Sequence, residues 1–135
     1  MTDTLLSSSF TSEFLAFRSI KRFEDGSGYR LHVELQAGPF SASYPFFVES
    51  YPVKQFLLSL SALYESLSGE ALLKPEYEPQ FIRIKAGTGG HMVISGELYV
   101  HSDQPQVLKF QFRTDQTCVG LFLQQLHHEL AAVAF

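Results

Sequence analysis

The stretch that decides the fold runs from Tyr44 to Gly69 and reads YPFFVESYPVKQFLLSLSALYESLSG. Its first residues alternate between two faces, which is typical of a β-strand with one buried side. From Pro52 onwards apolar side chains recur at i, i+3, i+4 and i+7, and that spacing forms one face of an α-helix. We expect Ser50 to cap this helix and Gly69 to end it. The stretch therefore predicts a strand that leads directly into a helix.

A second transition of the same kind occupies residues 110–126, FQFRTDQTCVGLFLQQL, with Thr114 or Asp115 as the expected helix cap. A step of 66 residues superposes the two transitions, pairing Phe46 with Phe112, Val53 with Val119, Phe56 with Phe122 and Leu60 with Leu126. We interpret this match as a βββα unit used twice. Shared periodicity without duplication remains the alternative.

Further stretches alternate between apolar and polar residues and are predicted to be strands. They are residues 29–36, 80–85, 91–100 and 107–113, with a less regular strand around 13–23. Pro45 has no amide hydrogen to donate, so its strand is predicted to lie at a sheet edge or to carry a bulge there.

The predicted fold class is α+β, in a single domain over residues 1–135. We expect about six mostly antiparallel strands in βββα-βββα order, with two helices on one face of the sheet. One shared core would then satisfy the apolar face of each strand and the apolar stripe of each helix.

The glycine-rich segment KAGTGGHMVISGE, residues 85–97, invites comparison with a phosphate-binding loop. Such a loop needs a helix N-terminus after it, whose amides hold the anion, and here a strand follows. Residues 87–90 are therefore predicted to form a hairpin turn. Gly96 falls within the following strand, where a bulge or a closely packed helix is expected.

Composition, charge and cysteine content limit the classes of function that this chain can have. Hydrophobic residues make up 45% of the chain and the net charge is −4, which disfavours nucleic acid as a partner. Cys118 is the single cysteine, so a reducing compartment is expected. The sequence contains no signal-peptide pattern and no apolar run of membrane-spanning length. A soluble, cytoplasmic protein without a cofactor is predicted.

The five histidines do not form a recognisable metal site. His127 and His128 are adjacent, and so fail the i, i+4 spacing that zinc sites on helices use. Cys118 lies at the start of the second helix, where the helix dipole favours a thiolate. A pocket near His91 and Cys118 is the one catalytic alternative that the sequence leaves open. A half-buried structural cysteine is the favoured interpretation.

Two surfaces are candidates for binding a partner. The first is the acidic loop, which we define as Glu76, Tyr77 and Glu78, suited to a basic protein with the tyrosine as anchor. The second is the outward face of the strands, represented by Phe81 and Tyr99, where aromatic side chains mix with charged ones. A solvated loop, and a sheet face that is covered or packs in a homodimer, are the structural alternatives.

Three motifs give the chain a resemblance to a known family. They are GHMVISG at residues 90–96, LKFQFRTDQT at 108–117, and FLLSLSALYESLSGEALL at 56–73. Together they are similar to the WapI-type immunity proteins of bacterial polymorphic toxin systems, over roughly residues 40–130. The resemblance implies a small cytoplasmic protein that binds and blocks a cognate toxin, and it transfers no catalytic residue.

From these observations we predict an immunity-type binding protein that neutralises a toxin without chemistry of its own. The alternative is a small enzyme or ligand-binding domain that uses a pocket near His91 and Cys118.

Overall fold

The computed structural model describes residues 4–8 and 12–133 of the chain. Within these ranges it contains eight strands and two helices in the order ββββα-ββββα. The bounds are β1 Thr4–Ser7, β2 Phe14–Arg22, β3 Gly28–Ala37, β4 Phe40–Glu49, α1 Ser50–Ser66, β5 Glu70–Leu73, β6 Phe81–Ala86, β7 His91–Val100, β8 Gln106–Asp115 and α2 Gln116–Ala132. The strands form two antiparallel sheets, a first sheet ordered β1-β2-β3-β4 and a second ordered β5-β6-β7-β8.

The α+β class, the two helices and the antiparallel pairing are confirmed, but the single sheet of about six strands is wrong. The chain forms two four-stranded sheets instead. The two strands that were not expected, β1 and β5, are each only four residues long. The outward-facing side chains are consequently divided between two sheets. Arg30 and His32 belong to the first, whereas Phe81 and Tyr99 belong to the second.

The step of 66 residues extends to whole elements of the structure. Helices α1 and α2 are each 17 residues long, and their first residues, Ser50 and Gln116, are 66 positions apart. The same step carries β1 onto β5, from Thr4 to Glu70. The repeated unit thus has four strands and a helix, rather than the three strands and a helix that we expected.

A single hydrophobic core joins the two halves. The inner faces of both sheets and one face of each helix contribute to the same buried cluster. Phenylalanine is prominent in it, and the ring of Phe17 on β2 meets the ring of Phe122 on α2 edge to face, with centroids 5.4 Å apart. Helix α1 lies mainly against β5, and α2 lies mainly against β1. Each helix therefore packs on the first strand of the other half.

The helix ends agree only in part with the expected caps. Asp115 caps α2, since its carboxylate Oδ1 accepts a hydrogen bond of 2.9 Å from the Cys118 amide. In α1, Ser50 is the first helical residue rather than the cap, and its hydroxyl donates to the carbonyl of Gly26. The helix ends before Gly69, because Leu67 already adopts a left-handed φ of 57° and its amide bonds to the carbonyl of Leu63.

Two local predictions about β-structure are confirmed and one is wrong. Residues 87–90 connect β6 to β7 as a turn, and Pro45 lies on β4, an edge strand of the first sheet. Gly96, by contrast, does not sit at a bulge, and the atoms nearest to it belong to the neighbouring strands. A Cβ atom at that position would lie 2.4 Å from the carbonyl oxygen of Phe81 and 2.8 Å from the ring of Phe110.

Candidate partner-binding surface

The outer face of the second sheet carries aromatic and charged side chains in register. Phe81 on β6 is paired with Glu97 on β7, and Tyr99 lies two residues further along the same face. Because side chains alternate along a strand, these residues point away from the core to which Ile82 and Leu98 contribute. The prediction that Phe81 and Tyr99 face outward is therefore confirmed, whereas their role in binding stays a prediction.

An ion pair and a cation–π contact organise one side of this face. The guanidinium of Arg83 lies 5.0 Å from the centre of the Phe81 ring, and its Nε atom is 2.6 Å from the carboxylate of Glu70. Both charged side chains are partly exposed, so the pair contributes little to stability. Its effect is to hold the cation beside the Phe81 ring.

Tyr99 lies at the centre of a group of hydrogen bonds and ring contacts. Its hydroxyl donates to the carboxylate of Glu97, and this bond, together with desolvation, raises the pKa of the tyrosine. The ring stacks on His101, with centroids 6.5 Å apart and an angle of 13° between the planes. The carbonyl of Tyr99 accepts a 2.6 Å bond from the hydroxyl of Tyr44, on the edge strand of the first sheet. Contacts from several directions thus fix its orientation.

The acidic loop is held at both of its ends. The amide of Glu76 donates to the carboxylate of Glu49 at 3.1 Å, and the carboxylate of Glu78 lies 3.5 Å from Nε2 of His101. Between them Tyr77 is 87% exposed, the most accessible of the exposed large hydrophobic side chains. The pKa of the neighbouring Tyr44 is raised, chiefly by burial, and the charge of Glu78 raises it further. The loop therefore presents an exposed ring between two anchored carboxylate residues.

The two candidate surfaces form one continuous surface. His101 bridges them, because its ring contacts both Glu78 of the acidic loop and Tyr99 of the sheet. We refer to the acidic loop together with Phe81, Glu97 and Tyr99 as the composite surface. The loop and the sheet face were expected to be separate alternatives, and neither Tyr44 nor His101 was expected to contribute. Strand alternation contains no signal for contacts of this kind between a loop and a strand.

The two residues of the catalytic alternative, His91 and Cys118, are each neighbours of Asp115. His91 is paired with Asp115 across β7 and β8, and Asp115 caps the helix that contains Cys118. Burial raises the pKa of the Cys118 thiol, and the Asp115 carboxylate raises it further. A raised pKa disfavours the thiolate, which is the form in which a cysteine acts as a nucleophile. Within the described ranges, no group of three His, Cys, Asp or Glu residues is arranged to hold a metal ion.

These features define a small α+β protein built from two ββββα units, with a composite surface of aromatic and acidic groups. In the part of the chain that the structure describes, neither helix is long and apolar enough to cross a membrane.

The chain belongs to the immunity protein WapI-like family, whose family model matches residues 6–134. The resemblance seen in its motifs is thereby confirmed over nearly the whole chain. A chain from the crystal structures of Trypanosoma brucei MRP1/MRP2 superposes with a TM-score of 0.49 and 12% sequence identity, covering 96% of this chain and 84% of that one. No curated protein matches this sequence.

Proposed function

We propose that this protein is a cytoplasmic immunity protein that binds a cognate bacterial toxin and blocks it without catalysis, and that the toxin docks on the composite surface. Membership of the immunity protein WapI-like family is the observation that supports the binding role. The raised pKa of the Cys118 thiol agrees with it, because a higher pKa disfavours the thiolate that a cysteine nucleophile needs.

The composite surface suits a protein partner because contacts within the chain hold Tyr99 and both ends of the acidic loop. Tyr99 is fixed by Glu97 and Tyr44, and the acidic loop is fixed by Glu49 and His101. A surface that is ordered before binding loses less conformational entropy when the partner arrives. The partner is therefore expected to present basic groups to Glu76 and Glu78 and a pocket to Tyr77.

The roles within the surface follow from exposure and charge. Tyr77 is the anchor, since an exposed aromatic ring that becomes buried is a typical hot spot of a protein interface. Glu76 and Glu78 steer the approach of a basic partner and set its orientation. Phe81 and Tyr99 extend the contact across the second sheet.

The test is co-expression with the C-terminal domain of a candidate cognate toxin, sought among the products of neighbouring genes. We expect the unaltered chain to rescue growth and to form a complex with the purified domain. Tyr77→Ala is expected to weaken binding by about thirtyfold or more, the effect of a hot-spot residue. Charge reversal at Glu76 and Glu78 together is expected to slow association and to remove its dependence on salt.

Matched controls are available on α1, away from the composite surface. Leu58→Ala removes an apolar side chain that is 58% exposed, and Glu65→Lys reverses an exposed charge. Both control variants should protect fully. Failure of the unaltered chain to rescue growth would refute the immunity role. Full protection by the Tyr77, Glu76/Glu78, Phe81→Ala and Tyr99→Ala variants would refute the assignment of the surface.

A further inference from the structure

A second polar surface, separate from the composite surface, lies on the outer face of the first sheet. It is a cleft of about 370 Å³ lined by Ser19, Arg30, Leu31, His32, Pro45 and Phe47. Lys21 lies beside Arg30 in the register of β2 and β3. We call this cleft, with Lys21 at its edge, the basic cleft.

The backbone beside the basic cleft is in an unfavourable conformation. Ser19 has a φ of 54°, in the left-handed region that non-glycine residues rarely adopt. It lies at the bulge where the pairing of β2 with β3 shifts, between Arg18 and Lys21. The shift places Lys21 directly opposite Arg30, and like charges opposite one another destabilise a strand pair. Strained positions of this kind concentrate at functional sites.

The two cations of the basic cleft are not neutralised by their own chain. Within the described part of the chain, neither Lys21 nor Arg30 has a carboxylate within ion-pair distance. On the paired strands, Glu34 contacts Arg18 at 2.8 Å, and the carboxylate of Glu49 accepts a bond from the Glu76 amide. An anionic group from outside the chain would satisfy both cations.

An exposed aromatic pair lies beside the cations. Phe23 and Phe47 stack with their ring centroids 6.4 Å apart, and they are 37% and 50% exposed. Cations next to exposed aromatic rings match a segment that carries carboxylates and an aromatic side chain. The acidic loop has that composition, with Tyr77 between Glu76 and Glu78.

The acidic loop lies next to the basic cleft in the folded chain. Glu49 follows Phe47 by two residues on the same face of β4, and its carboxylate holds the amide of Glu76. Yet the loop does not neutralise the cleft of its own chain, since Glu78 turns instead to His101. The acidic loop and the basic cleft, which are opposite in charge, thus lie side by side along the edge strand β4.

We propose that the basic cleft receives the acidic loop of a second copy of this chain, in a symmetric dimer about a twofold axis near β4. Adjacent surfaces of opposite charge are self-complementary under a twofold rotation, so that each dimer contains the contact twice. Because the acidic loop also belongs to the composite surface, dimerisation excludes the toxin, and this last consequence rests on the proposed function.

The test needs only the purified chain, so its outcome is separate from that of the toxin experiment. Sedimentation equilibrium over a wide concentration range should show a monomer and a dimer, with association weakening as salt is added. Arg30→Glu is expected to raise the dimer Kd about tenfold or more, because two equivalent contacts become repulsive. Reversal of Glu76 and Glu78 to Arg should have a similar effect. Lys85→Glu makes the same charge change at the end of β6 away from Phe81 and should leave the Kd unchanged.

Mixing the two variants gives the decisive result. An Arg30→Glu chain and a Glu76→Arg/Glu78→Arg chain repel their own copies, yet together they restore both contacts as a heterodimer. Circular dichroism of each variant establishes that it is folded. The proposal is overturned by a chain that is monomeric at every concentration, by a dimer that the reversals leave intact, or by variants that do not associate when mixed. It is also overturned if Arg30→Glu leaves association unchanged and weakens toxin binding, since the cleft then contacts the toxin.

Discussion

Gly96→Ala tests whether the close packing of the second sheet depends on the absence of a side chain at this position. The added Cβ would lie 2.4 Å from the carbonyl oxygen of Phe81 and 2.8 Å from the ring of Phe110. The aromatic ring has some freedom to move, but the carbonyl belongs to the neighbouring strand and is fixed by its ladder. We therefore place the overpacking cost at the upper end of the usual range, about 3 kcal/mol.

An opposing effect acts through the unfolded chain. Replacing glycine by alanine restricts the unfolded ensemble, which stabilises a protein by about 0.5–1 kcal/mol where the backbone permits. Steric overlap is the larger effect, and the net loss is about 2 kcal/mol. The sign of the change in the free energy of unfolding thus shows which effect is larger. Without the steric overlap, the substitution would stabilise the protein.

Urea denaturation followed by far-UV circular dichroism measures this change, since the chain has no tryptophan to report unfolding. We expect a lower midpoint with an unchanged slope. Ser95→Ala, at the neighbouring position of β7, is the control and should shift stability by no more than about 0.5 kcal/mol. A Gly96→Ala variant as stable as the unaltered protein, or more stable, would show that steric overlap of a Cβ atom is not the reason for glycine at this position.

Two further predictions concern the start of α2. Asp115→Ala removes the acceptor of the Cys118 amide and should cost about 1 kcal/mol in urea denaturation, whereas Asp115→Ser retains a cap and should cost less. Alkylation of Cys118 at pH 8 should be slower in the native protein than in urea, because burial and the Asp115 carboxylate raise the pKa of the thiol. Asp115→Ser should speed the native reaction by removing that charge, and equal rates in native and denatured protein would contradict the argument.

The secondary structure was predictable where the periodic signal was long. The stretch from Tyr44 to Gly69 indicated both β4 and α1, because strand and helix spacings differ clearly over ten or more residues. Strands β1 and β5 have four residues each, too few for alternation to be recognised. The division into two sheets was not predictable either. Alternation indicates which side chains are buried, but not which strands pair.

For the candidate site, the sequence indicated which residues are suited to binding, but not how they are arranged in space. Glu76 and Tyr77 were recognised as an acidic, aromatic loop, and Phe81 and Tyr99 as outward-facing on strands. The acidic loop and the sheet face are joined through His101, which contacts both Glu78 and Tyr99. Glu78 and His101 are far apart in sequence, so the pattern of neighbouring residues does not predict their contact. The basic cleft was missed for the same reason, since it depends on a bulge that brings Lys21 opposite Arg30.

The packing of each helix on the first strand of the other half gives the fold a cyclic order. Following α1 the chain enters β5, against which α1 lies, and α2 lies in the same way against β1, where the chain began. A circular permutant opened between Ser66 and Glu70, with the original termini joined, would keep the same contacts of each helix with its strand. Neither half completes its own core, so the two halves are expected to unfold in one transition and, as separate fragments, to fold only when they meet.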